Sequence, residues 1–174
     1  MLKGTRAGRP PVKKRPSLSE LCEELEVLIF RAEPGEKHRL TEKTYTEDHL
    51  VSDLCGVREA FQDRFRRRFG IYHALEGAYR LYWKWQTRGN IEDIVRRAAL
   101  FVENPPRDEA DLHDPYWVLI ELAAPAKSLQ EQKNNSKYRR RLRMAAKRNC
   151  PPGKFVNFTK KTGGINPPKT KPAT

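Results

Sequence analysis

The residues best suited by type and spacing to do chemistry are basic. Ser136 to Gly153 reads SKYRRRLRMAAKRNCPPG, just beyond Glu131, the last acidic residue of the chain. From Lys137 onward there are twelve lysines and arginines (Lys137, Arg139, Arg140, Arg141, Arg143, Lys147, Arg148, Lys154, Lys160, Lys161, Lys169 and Lys171) and no Asp or Glu. Arginine forks hydrogen-bond phosphate oxygens bidentately, and each phosphate neutralised on a nucleic acid releases counterions. Wound at about 100° per residue, the stretch puts Tyr138, Leu142, Ala145 and Ala146 on one side and Arg139, Arg140, Arg143 and Lys147 opposite, with Arg141 and Arg148 flanking the apolar stripe. One edge is made for docking and the other for a polyanion. After the CPPG turn, Phe155, Val156, Phe158 and Ile165 offer apolar partners, and Lys154, Lys160 and Lys161 extend the positive face.

The amino terminus repeats the charge. Residues 1–16 hold Lys3, Arg6, Arg9, Lys13, Lys14 and Arg15 and no acid, so the net charge of +13 divides into two basic ends and a mildly acidic interior. Such segregation suits a chain that grips a phosphate backbone with its extremities. Within RAGRPPVKKRP, Gly8-Arg9-Pro10 resembles the core of an AT-hook, with Ala7 in place of a further glycine and Pro11 departing from the pattern. That resemblance implies that the arm enters the narrow minor groove of A·T-rich duplex DNA, with Arg6, Arg9, Lys13, Lys14 and Arg15 as its contacts. PVKKRP also resembles a nuclear localisation signal.

A secondary patch is expected from Arg66, Arg67, Arg68 and Lys84 with Trp83 and Tyr72, since aromatic rings beside arginines can stack on unpaired bases. Tyr79, Tyr82 and Trp85 share a helical face and are assigned to the core. No glycine-rich phosphate loop, HExxH, GxSxG or paired cysteine–histidine spacing occurs, so no catalytic residue and no cofactor is expected. Asp108, Glu109, Asp111, His113 and Asp114 are explained by helix capping more simply than by a metal. Cys22, Cys55 and Cys150 are odd in number and widely spaced, which reads as thiols of a soluble chain in a reducing, intracellular compartment. No stretch of about 18 apolar residues is present, and no membrane partner is expected.

The elements that must position these groups read as helices throughout. Ser17 and Glu20 match a capping box, and Leu18, Leu21, Leu25, Leu28 and Ile29 follow at helical spacing up to Pro34-Gly35. Thr46 caps a helix bearing Leu50, Leu54, Val57, Phe61 and Phe65, with Gly56 a point of division and Gly70 a terminal glycine. A helix follows over 71–87. Asn90 caps the next, and Asp114-Pro115 opens an apolar helix over 116–124 that Pro125 kinks or ends. Residues 127–135 are weakly helical, and Ser136 caps the basic stretch. With no alternating strand pattern, the fold class is all-α, with five to seven helices.

The expected organisation is a basic disordered arm over 1–16, a helical core over 17–134, a basic helical hairpin over 135–165 and a disordered tail over 166–174. The expected function is non-catalytic binding of nucleic acid, duplex DNA rather than RNA, in a regulatory or architectural role. Two expectations compete with it. One is an adaptor that docks on a protein or a second copy of itself through helix 17–33, where Val27 and Phe30 widen the apolar face, and through the apolar Tyr116–Ala124 helix. The other is an RNA-binding component of a ribonucleoprotein.

Overall fold

The computed structural model describes residues 17–21, 46–65, 70–88, 90–106 and 108–165. The fold is all-α, and no strand occurs among the described residues. Residues 18–21 form a first helical turn. It is followed by α1 (Glu47–Gln62), α2 (Gly70–Thr87), α3 (Ile91–Ala99), α4 (Pro115–Ala123), α5 (Leu129–Lys147) and α6 (Phe155–Lys161), with short 3-10 turns at Asp63–Phe65, Glu109–His113 and Pro152–Lys154. Helix α4 is the central element. Trp117, Val118, Leu119, Ile120, Leu122 and Ala123 are all buried, so the apolar helix expected to dock on a partner is instead enclosed by its own fold, with Glu121 its one charged residue. Helices α1, α2 and α5 pack around it, and α6 closes against α2 and α5.

Helix starts fall where short polar side chains can satisfy free backbone N–H groups. Thr46 Oγ1 accepts from the His49 amide, and Asn90 Oδ1 from that of Asp93. Asp114 accepts from the amides of Tyr116 and Trp117. The Ser17–Glu20 box is formed in both directions, and Leu18 is buried in the core. The remainder of the expected 17–33 helix lies outside the described residues.

Four local expectations change. Gly56 does not divide α1, because one glycine inside a well-packed helix is tolerated. Gly70 starts α2 instead of ending a helix, and its lack of a side chain is needed there, since a Cβ would collide with the Arg64 carbonyl. Ser136 is not a cap: α5 is already under way at Leu129, capped by Ser128, whose hydroxyl accepts from the Glu131 amide. Cys55 is disulfide-bonded, whereas Cys150 is a buried free thiol. Widely spaced cysteines carry no sequence signal for a bridge, which depends on which segments meet in space. Among the described residues no helix is long and apolar enough to cross a membrane.

Candidate nucleic-acid interface

Helix α5 and the turn into α6 build the site. The inner side of α5 buries Asn135, Arg141, Leu142 and Ala145. Asn135 Nδ2 donates to the Ala124 carbonyl at 2.7 Å, fastening the start of α5 to the end of α4. Beyond Lys147 the chain turns through Asn149, which takes a positive φ of 48°. Cys150 is then buried, and its carbonyl accepts from the Tyr79 hydroxyl at 2.8 Å. Phe155 is fully buried with its ring centroid 4.9 Å from that of Tyr79. The basic hairpin is therefore fixed to α2 and shares the core of the chain.

Arg141 is the basic residue whose position the sequence indicates least well. It sits at the edge of the apolar stripe, and the structure buries it completely. Its guanidinium donates to Thr162 Oγ1 at 2.6 Å and to the Gly164 carbonyl, at the carboxyl end of α6. A cation there meets the negative end of the helix dipole and carbonyls that have no helical partner. Burial holds the Arg141 pKa below its ordinary value, opposed by the nearby Tyr72 hydroxyl and reinforced by Arg148. Arg141 thus ties α5 to α6 and is withdrawn from any ligand.

The remaining basic residues of α5 and its cap point outward. Arg140, Arg143, Lys147 and Arg148 are exposed, and Lys137 and Arg139 are half-buried. Lys133 is exposed on the same side, although a helix capped at Ser136 would leave it out of the set; the Ser128–Glu131 capping pattern is the sequence signal that includes it. Among the described residues, Arg143 alone of these seven is ion-paired, to Asp114 Oδ2 at 2.5 Å. Arg139 donates to Ser136 Oγ at 3.1 Å, and the Arg148 guanidinium lies over the Phe158 ring, 5.9 Å from its centroid. Lys154, Lys160 and Lys161 are exposed on the adjoining turn and α6, with the Lys160 ammonium 6.0 Å from the Tyr72 ring centroid. The structure brings the carboxy-terminal set together on the adjoining surfaces of α5 and α6.

Two members of the expected secondary patch, Lys84 and Trp83, have other partners. Lys84 is held by Asp53, its ammonium 2.7 and 2.9 Å from the two carboxylate oxygens. Trp83 is half-buried, with its ring packed edge-on against Tyr79. Arg66, Arg67 and Arg68, and the arm residues Arg6, Arg9, Lys13, Lys14 and Arg15, lie outside the described residues. Asp108 and Asp114 accept from backbone amides as caps, and no cluster of His, Cys, Asp or Glu fit to hold a metal occurs among the described residues.

No family model matches the chain, and neither a curated protein nor a solved structure does.

Proposed function

We propose that this chain binds nucleic acid, gripping the phosphate backbone through the outer face of α5 and the basic α6 turn, assisted by the amino-terminal arm, without chemistry on the bound strand. One observation carries the reading. Seven basic side chains occupy the outer face of α5 and its cap, and among the described residues a single carboxylate, that of Asp114, pairs with one of them. A face of that kind costs self-repulsion unless a polyanion neutralises it. Fixing it to the core by Arg141, Asn135 and the Tyr79–Cys150 bond presents the charges on a rigid support, so little ordering entropy opposes binding. Duplex DNA is preferred over RNA because the arm resembles a minor-groove binder.

The test is a salt titration of binding to A·T-rich duplex, G·C-rich duplex, single-stranded DNA and structured RNA. It compares the full chain with a variant carrying Arg139→Ala, Arg143→Ala and Lys147→Ala. Six to ten phosphate contacts predict an affinity loss of about a thousandfold or more between 50 and 200 mM salt, with a slope about 2–3 units shallower in the variant. Failure of the full chain to bind any of the four near physiological salt refutes the proposal. Tightest binding to structured RNA would move it to a ribonucleoprotein role.

A further inference from the structure

We propose that α5 enters the major groove of duplex DNA and that Arg140 reads a guanine there. This rests on the nucleic-acid reading above and adds which groove α5 uses and which residue carries sequence preference.

The geometry of α5 carries the inference. At about 100° per residue, Lys133, Arg140 and Lys147 fall along one line, seven residues apart, spanning about 21 Å. All three are exposed, and their side chains make no ion pair or hydrogen bond among the described residues. One flank of this crest bears Arg139 and Arg143, on the side where Arg143 meets Asp114 at the start of α4. The opposite flank bears Lys137 and Arg148, on the side where Arg148 overlies Phe158 of α6. Basic residues therefore line both sides of a helix whose inner side alone is buried. A helix lying across a single strand needs cations on one flank. One lying in a groove between two strands needs them on both, with its crest directed at the base edges.

Size then selects the groove. The major groove of B-form DNA, about 12 Å wide, admits an α-helix, whereas the minor groove, about 6 Å wide, does not. The major groove of A-form RNA is too deep and narrow for such an element. At the centre of the crest stands an arginine, whose fork matches the O6 and N7 acceptors of guanine, flanked by lysines two helical turns away on either side. Ser136, beside the crest, is the hydroxyl to which Arg139 donates, and it is too short to obstruct Arg140.

The experiment measures binding of the full chain to a guanine-containing duplex, to the same duplex with every guanine replaced by 7-deazaguanine, and to the same duplex with every cytosine carrying a bulky glucosyl group in the major groove. Phosphates and minor groove are unchanged in all three. The proposal expects about tenfold weaker binding to the 7-deaza duplex, and at least that loss for the glucosylated one. The Arg140→Ala chain, altered only at an exposed position, should no longer distinguish guanine from 7-deazaguanine. A loss with the glucosylated duplex alone would overturn the reading of guanine by Arg140. Equal affinity for all three duplexes would overturn groove entry while leaving phosphate gripping intact, and binding to none of them would overturn both readings.

Discussion

At the scale of single residues, the burial of Arg141 is the main energetic commitment of the basic region. Its guanidinium is bonded to carbonyls and a hydroxyl, and among the described residues to no carboxylate, so it is stable only while those acceptors stay in place. Arg141→Ala leaves the end of α6 unbonded and opens a cavity beneath it. Urea unfolding should show a loss of about 3 kcal/mol, well above the effect of replacing an exposed arginine such as Arg140. Glu121 behaves in a different sense. Burial pushes its carboxyl pKa up, and the Ala126 amide, Arg139 and Asn135 pull it back only in part. The folded chain holds that proton more tightly than the unfolded chain does. Its contribution to stability is therefore complete below the ordinary carboxyl range and is lost as pH rises through the raised value. Glu121→Gln should gain stability over the parent as pH rises from the ordinary carboxyl range through the raised value, read as a widening gap in urea midpoint. Neither role is legible in the sequence, because an arginine at the edge of a stripe and a glutamate within an apolar helix reveal their burial only when neighbouring helices arrive.

Helices are the most legible level. Thr46, Asn90 and Asp114 each cap where their side chains and the following apolar periodicity indicate, because capping is a local interaction between one side chain and the next turn. The same locality misplaces the start of α5: Ser128 and Ser136 are both competent caps, and the contact of Asn135 with Ala124 extends the helix through the second. Asp114 has a double task that a one-dimensional reading does not reveal, capping α4 and pairing with Arg143 across 29 residues. Asparagine keeps the capping oxygen and removes the charge. Asp114→Asn should preserve folding and strengthen binding to duplex several-fold at low salt, steepening the salt dependence by up to about one unit, as Arg143 exchanges a carboxylate for a phosphate. Fluorescence anisotropy at two salt concentrations would measure both effects.

At the scale of the whole molecule, the basic stretch beyond residue 135 is, among the described residues, a division of surface and not a division of core. Helix α5 runs through residues 134 and 135 without interruption, and Leu142, Ala145 and Phe155 are buried with the residues of α2 and α4. A chain ending at Asn135 should therefore lose cooperative unfolding as well as its charge. Removing Leu142 and Phe155 alone costs more than about 5 kcal/mol, comparable with the stability of a small domain. Calorimetry of the shortened chain would show no sharp transition. Substitution of exposed arginines, not truncation, is the way to separate binding from folding.

The turn between α5 and α6 also contains a clock. With Cys55 bonded, Cys150 is the free thiol among the described residues, buried and with its pKa pushed up by that burial. It is fastened through its own carbonyl to Tyr79. Alkylation can proceed only as fast as the hairpin lifts from α2, so the labelling rate reports the frequency of that opening in the native state. A duplex seated along α5 should slow the reaction in proportion to occupancy, giving a kinetic readout of binding that needs no label on the nucleic acid.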